Sequence, residues 1–358
     1  MSGNNIVYTA AFGEAINLST PRGVFLYSTD THDTKLIGTT PANMTLTGAD
    51  ISGDYIVWFE EPQVTFNHSK EETGRNRIIL YSVAEDSSST IYSSEDASWP
   101  KVSGQQVIWS DTSGDSFTEY VTLYNISSEK TKVLPGISSV DGADIGFDGG
   151  QILYQNSSTL DLCLYNIPSE KNTIVSKHIH TNTSVVSADK HALGGNYIIF
   201  TNRIMNKTGP EKGISNELIL YIISTGETKY INPSTGEFVD KLSKQEKSAI
   251  IDYPFADQNR VGWVDITGIS KSVIKILNPV TSEVSSIHTD YFVSFPHLDG
   301  DSAVWGDSGK MILGTEKTDK TPPVPATSEK AVPGFGFIAG LSALAVVGVA
   351  VVLRRNNQ

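Results

Sequence analysis

The chain is poor in the residues and motifs that mark most enzymes. Its 358 residues include one cysteine, Cys163, which excludes a disulfide framework. No G-x-S-x-G, H-E-x-x-H or C-x-x-C motif occurs. Before residue 334 there is almost no apolar pattern of helical period. These absences predict a non-enzyme with no cofactor and no catalytic or metal residues.

Positive charge is also scarce. Acidic residues outnumber Lys and Arg by 40 to 27, which gives a net charge of −13. A protein that binds nucleic acid or an anionic membrane surface usually carries a basic patch. The charge balance therefore argues against both partners.

What the chain does contain is an internal repeat. The stretch ISGDYIVWFE at 51–60 joins a tight turn to an apolar run that ends in Trp-Phe-Glu. The same figure returns at 102–111, 147–156, 193–202, 256–265 and 298–307, and a shortened copy opens the chain at 2–10. Self-similarity at a roughly fixed period is the signature of a repeat architecture.

Each copy is followed by a second apolar strand, a short turn such as SSEK at 127–130, and another short strand. One further segment, such as ASWPKVS at 97–103, separates the units. Four short strands every 40–60 residues or so are typical of a β-propeller blade. We predict an all-β propeller over residues 1–315, made of four-stranded antiparallel blades, with seven favoured and six to eight compatible.

Acidic or amide residues end six of the second strands. Two interpretations stay open: a polar ring on the loop face that binds a cation or sugar hydroxyls, or acceptors for backbone N–H groups at the strand-to-loop corner. The longer insertions, such as 60–76 and 202–217, follow second strands and are expected on that same face. The six residues are Glu60, Asp111, Asn156, Asn202, Asp265 and Asp307.

The chain has seven Asn-x-Ser/Thr sequons, and several fall in predicted loops. An exported chain can be glycosylated at such sites. The candidate N-glycosylation residues are Asn17, Asn43, Asn67, Asn125, Asn156, Asn182 and Asn206.

The character of the chain changes after residue 315. Residues 316–334 are rich in Pro, Thr, Ser and Lys and predict an extended linker. Residues 335–353 carry no charge, and as a helix they would span about 28 Å, enough to cross a bilayer core. Arg354 and Arg355 follow, so the tail at 354–358 is expected on the cytoplasmic side and the repeats outside.

Pro333, Gly334 and Phe335, the apolar span, and then Arg354 and Arg355 resemble the PGF-CTERM sorting signal of archaeal surface proteins. This resemblance implies that an archaeosortase removes the tail and that a lipid anchors the protein. The repeats resemble, more loosely, the cell-surface propellers of methanogenic archaea, which are similar to the periplasmic propeller of the Tol system. Residues 1–11 contain no export signal, so the native gene is expected to extend upstream of Met1.

The sequence therefore predicts an exported, membrane- or lipid-anchored cell-surface glycoprotein that serves as a binding or structural module. Its ligand would be a surface protein or a glycan that the sequence does not identify. One alternative is a propeller hydrolase or lyase acting on extracellular glycans, which would need paired carboxylates. Another is a protein that assembles the S-layer or cell wall.

Overall fold

The computed structural model consists of β-strands. Within the residues that it describes, no α-helix occurs and no helix could span a membrane. The chain divides into two compact units, 1–134 with 310–313 and 330–358, and 135–309 with 314–329. The described residues are 5–11, 22–40, 44–62, 75–112, 119–137, 145–208, 213–243, 246, 250–268, 271–289, 293–299, 302–307, 310–315, 330–331 and 352–354.

The first unit holds three four-stranded antiparallel sheets, which we call blades 1, 2 and 3. Blade 1 contains β1 (Asn5–Ala11), β2 (Arg22–Ser28), β3 (Thr34–Thr39) and β30 (Val352–Arg354). Blade 2 contains β4 (Met44–Ser52), β5 (Tyr55–Pro62), β6 (Asn76–Ser82) and β7 (Ser87–Ser94). Blade 3 contains β8 (Ser98–Ser103), β9 (Gln106–Thr112), β10 (Glu119–Asn125) and β11 (Lys130–Val133). Ile312 and Leu313 of β28 (Lys310–Thr315), which lie in the same unit, pair with β29 (Lys330–Ala331).

The second unit holds blades 4, 5 and 6. Blade 4 contains β12 (Gly146–Asp148), β13 (Gln151–Gln155), β14 (Leu162–Asn166) and β15 (Lys171–Ser176). Blade 5 has six strands: β16 (Ile179–His180), β17 (Ser184–Gly194), β18 (Tyr197–Asn206), β19 (Gly213–Ile222), β20 (Glu227–Ile231) and β21 (Phe238–Val239). Blade 6 contains β22 (Ile250–Ala256), β23 (Val261–Gly268), β24 (Lys271–Leu277) and β25 (Val284–Thr289). A further hairpin joins β26 (Val293–Asp299) to β27 (Ser302–Asp307).

These sheets confirm the predicted fold class, an all-β propeller of four-stranded antiparallel blades. The repeated figure forms the first turn and the second strand of a blade, as at Gly53–Asp54 and β5. The insertion at 202–217 differs from the expected loop. Its first five residues extend β18 and its last five extend β19, in continuous antiparallel register.

The ends of the described chain meet in blade 1. The sequence indicates that the first repeat begins at its second strand, and that strand is β1. The structure places β30 beside it, with Asn5 opposite Arg354 and Val7 opposite Val352. The helix expected over 335–353 lies outside the described residues, apart from Val352 and Leu353 in β30. The linker 316–334 lies outside them as well, apart from β29.

The first turn of blades 2 to 5 requires a left-handed backbone. Gly53 has a φ of 59°, and Gly104, Gly149 and Gly195 occupy the same place in blades 3, 4 and 5, with φ between 53° and 55°. Glycine reaches this region without steric cost because it has no Cβ. The recurrence of glycine in the repeat is thus explained by turn geometry.

The second strand of a blade is buried on both faces. Ile56 and Trp58 of β5 pack in a cluster with side chains of blade 1, whereas Val57 and Phe59 pack with side chains of blade 3. Because successive side chains of a strand point to opposite faces, both sets are apolar and the run does not alternate. This explains the uninterrupted apolar figure in the sequence.

Some glycines are fixed by packing instead of by turn geometry. A Cβ built on Gly262 of β23 would collide with the ring of Phe255 and lie 2.6 Å from the backbone oxygen of Lys275. We expect Gly262→Ala to lower the free energy of unfolding by about 1–3 kcal/mol, the usual cost of overpacking. Urea unfolding measures the change.

The matched control is Gly104→Ala. Gly104 has a positive φ but nothing within 4 Å of an added Cβ, so only backbone strain opposes the substitution. We expect a loss of about 1 kcal/mol. An equal or smaller loss for Gly262→Ala would contradict close packing at β23.

Candidate functional site

The first unit contains a cavity of about 440 Å³, which we call the blade-2 cavity. Strands β5, β6 and β7 of blade 2 form most of its wall, and the end of β3 closes one side. The lining residues are Gly38, Thr39, Trp58, Glu60, Arg77, Ile79, Ser88, Ser89 and Thr90.

The register of blade 2 brings the charged residues of this cavity together. Glu60 of β5 lies directly opposite Arg77 of β6, and Trp58 lies opposite Ile79 on the same face. The Trp58 ring packs so closely on β3 that a Cβ on Gly38 would sit 2.7 Å from its Cζ2. The site is therefore built on paired strands.

Glu60 is held by two donors. Its Oε2 forms an ion pair with Nη2 of Arg77, and its Oε1 accepts a hydrogen bond from Nε1 of Trp58 at 3.4 Å. The Glu60 side chain is only 6% exposed, whereas Arg77 is 37% exposed. A carboxylate removed from water this far must be paired, because an unpaired buried charge is strongly destabilising. Glu60 thus fixes Arg77 at the cavity wall.

The third strand of the wall is rich in hydroxyl groups. Ser88, Ser89 and Thr90 of β7 are exposed and line the cavity. Thr90 lies opposite Ile79 of β6. A hydroxyl can both donate and accept a hydrogen bond. This side of the cavity can therefore bind either kind of polar ligand atom.

The second unit contains another cavity, of about 410 Å³, at the first turns of its blades. One carboxylate organises it. Oδ2 of Asp148 accepts hydrogen bonds from the backbone N–H of Gly195 at 2.8 Å and from Nε2 of Gln258 at 2.7 Å. Asp148 therefore ties turns of three blades together. The lining residues are Asp148, Gly149, Gln151, Gly195, Asn196, Ile223 and Gln258.

The acidic and amide residues of the predicted polar ring make local contacts. Asp111 accepts hydrogen bonds from Oγ of Ser94 at 3.2 Å and from the backbone N–H of Thr112 at 2.9 Å. Asn156 accepts from the N–H groups of Ser158 and Thr159. Asn202 accepts from Oγ of Ser176 at 3.2 Å. Asp111 and Asn156 thus accept from backbone N–H groups, Asn202 accepts from a side-chain hydroxyl, and the side chain of Asp307 lies outside the described part of the structure.

Asp265 of the same set lies half-buried in blade 6. Burial raises the pKa of its carboxyl above the ordinary value, and the Lys275 ammonium partly offsets this. Burial in turn lowers the pKa of Lys275. Nζ of Lys275 donates to the backbone oxygen of Ser234 at 2.9 Å, which holds Lys275 against the turn after β20.

The remaining sequence candidates are scattered. Cys163 is buried, and burial raises the pKa of its thiol to about 11, so it lacks the thiolate that a nucleophile needs. The sequon residue Asn182 is exposed at a turn, and Asn125 accepts from the N–H of Ser128. Two sets of candidates lie outside the described residues: the sequon residues Asn17, Asn43 and Asn67, and the sorting residues Pro333, Gly334, Phe335 and Arg355. Arg354 is in β30.

Among the described residues, no group of three or more His, Cys, Asp or Glu side chains is placed to hold a metal ion. Sequence reasoning did find Glu60, but it missed Arg77 and the Ser88–Thr90 wall. Pairing the second and third strands of the repeat would have placed Arg77 beside Glu60. No motif marks the three hydroxyl residues.

No family model and no curated protein matches the chain. Solved structures with a similar fold include TolB from Acinetobacter baumannii, 11% identical, with a TM-score of 0.46 over 80% of this chain and 64% of that one. Oligogalacturonate lyase from Vibrio parahaemolyticus is 12% identical, with a TM-score of 0.47 over 73% of each chain. The propeller domain of the Trilobed protease from Pyrococcus furiosus is 10% identical, with a TM-score of 0.41 over 81% and 96%.

These similarities are similarities of fold. They agree with the expected likeness to the Tol-type propeller, and the chain spans 64% of the length of the Acinetobacter protein. The similar structures include both a Tol-type propeller and a lyase. They therefore leave the activity of this chain to be argued from its own residues.

The raised pKa of Asp265 predicts a pH effect. A carboxyl whose folded-state pKa exceeds its unfolded-state value of 3.8 contributes stability below that value, and loses the contribution as the pH rises through the folded-state pKa. We expect Asp265→Asn to gain stability relative to the wild type as the pH rises from acidic to neutral. Urea unfolding across that pH range measures the difference.

Asp240→Asn is the control, because it removes the same charge from an exposed position in the same unit. Its stability difference from the wild type should vary less with pH. A difference for Asp265→Asn that shrinks toward neutral pH would show that the pairing with Lys275 outweighs burial.

Proposed function

We propose that this chain is an exported β-propeller, held at the cell surface by a membrane or lipid anchor, that acts as a binding or structural interaction module. One observation carries the choice of binding over catalysis. In the described residues, each cavity contains a single carboxylate, and that carboxylate is already bonded to protein donors. Such groups position neighbouring residues and leave no free acid.

Glycoside hydrolysis requires two carboxyl groups on opposite sides of the scissile bond. Glu60 in the blade-2 cavity faces Arg77, and Asp148 in the second cavity faces backbone and amide donors. Neither cavity brings a second described carboxylate to its wall. The hydrolase alternative therefore lacks support from the site geometry.

The surface location rests on the sequence. The Pro333-Gly334-Phe335 motif, the apolar span and the two arginines have the order of a sorting signal. The exposed sequon at Asn182 fits an exported chain. The Pro- and Thr-rich linker would hold the propeller away from the membrane. An archaeosortase is the processing partner that this arrangement implies.

The binding role can be tested with the full chain in detergent on an array of glycans and surface proteins. We expect retention of at least one component, because a polar cavity in a rigid scaffold binds without large ordering costs. Heat-unfolded protein is the control. Turnover of an array glycan, seen as new reducing ends or unsaturated products, would favour the lyase or hydrolase instead.

Processing can be tested by intact-mass measurement of the protein extracted from its native membrane. We expect a mass that lacks most of residues 336–358 and includes a lipid, because removal of the apolar span leaves a lipid as the anchor. A Phe335→Ala variant should keep its tail. A wild-type mass that retains Arg354 and Arg355 would rule out cleavage and leave an ordinary C-terminal anchor.

A further inference from the structure

The blade-2 cavity offers more hydrogen-bonding groups than the protein uses. The Arg77 guanidinium has five N–H donors, and among the described residues its one side-chain partner is Glu60. More than a third of its side chain remains accessible. The hydroxyls of Ser88 and Thr90, which share one face of β7, have no partner among the described residues and are exposed at the wall. A polar ligand would find donors and acceptors on two sides.

The charge of the cavity limits the class of ligand. Glu60 neutralises Arg77, and the other lining residues are uncharged. The whole chain carries a net charge of −13, which repels anions at long range. An uncharged ligand that has several hydroxyl groups fits these conditions better than a carboxylate or a phosphate.

Blade 6 shows which groups fit beside the repeat tryptophan. There, Nε1 of Trp263 donates to the backbone oxygen of Pro233 at 3.0 Å, and Lys275 donates to that of Ser234 at 2.9 Å. Residues 233–236 of the turn that contains these acceptors carry no charge. Gly236 of this turn packs directly on Val284. In blade 6, the space beside the tryptophan is thus filled by neutral backbone acceptors of the chain itself.

In blade 2 the corresponding tryptophan turns to Glu60 of its own strand, and a cavity remains beside it. Its volume of about 440 Å³ lies within the range of roughly 300–1,000 Å³ typical of small-ligand sites. We propose that the blade-2 cavity binds an uncharged saccharide, with Arg77 and the hydroxyls of Ser88 and Thr90 bonding its hydroxyl groups. This inference rests on the proposed binding function and names the ligand class.

The test is calorimetric titration of the full chain in detergent with glucose, galactose, mannose, N-acetylglucosamine and their disaccharides. Glucuronate and galacturonate are the charged comparators. We expect at least one neutral sugar to bind and to bind more tightly than its uronate. Absence of binding by all the neutral sugars, or tighter binding of a uronate than of its neutral parent, would overturn the proposal.

The double variant Ser88→Ala/Thr90→Val locates the site. Both residues lie on the same face of β7. The loss of two hydrogen bonds to the sugar should raise its Kd about tenfold. Thr131→Ala is the matched control, because Thr131 lies opposite Tyr124 in blade 3 as Ser88 lies opposite Tyr81 in blade 2. Thermal unfolding checks that both variants fold. Unchanged sugar binding by the double variant would place the site elsewhere.

These outcomes separate the two proposals. Retention of a surface protein on the array without any sugar binding would leave the interaction module standing and remove the saccharide site. Sugar binding that the double variant abolishes, together with no retained surface component, would keep the site and remove the surface role.

Discussion

The structure depends on one constraint: the second strand of a blade must be covered on both faces. Its central aromatic side chain is almost completely buried, and replacing such a residue with alanine typically costs about 3–5 kcal/mol. One sheet alone cannot cover two faces, so each blade requires neighbours, as repeat architectures do. The most buried of these aromatic residues are Trp58, Trp109, Tyr154, Phe200 and Trp263.

Polar contacts that link the first strand of one blade to the first strand or first turn of the next add to this apolar packing within each unit. In the first unit, Oδ2 of Asp50 accepts from the backbone N–H of Val102, and Oγ of Ser52 accepts from that of Gly104. In the second unit, Asp148 accepts from Gly195 in the same manner. A hydrogen bond to a backbone N–H depends on main-chain position, so these links fix the relative placement of neighbouring blades.

The sequence predicted the repeat because the packing constraint acts on every copy. An apolar figure recurs in each buried second strand, preceded in blades 2 to 5 by a left-handed glycine turn, and the four-stranded blades followed from it. The pair of Glu60 and Arg77 was missed because it depends on cross-strand register, which the sequence shows only when the second and third strands of the repeat are paired. The insertion at 202–217 has polar residues, yet its backbone continues the ladder of β18 and β19, which composition does not reveal.

A repeat protein can acquire a site where one copy packs differently from another. Blade 6 saturates its tryptophan with the Pro233 carbonyl, whereas blade 2 uses its own Glu60 and leaves a cavity. Arg77 offsets the cost of burying the Glu60 carboxylate, so the charge beside the blade-2 cavity is paired without a ligand. The strands around the blade-2 cavity pair as in the other blades. A difference in packing at one tryptophan can therefore change binding while the fold is retained. Specificity in this chain is therefore expected to lie in the differences between blades, and the shared figure supplies the rigid frame.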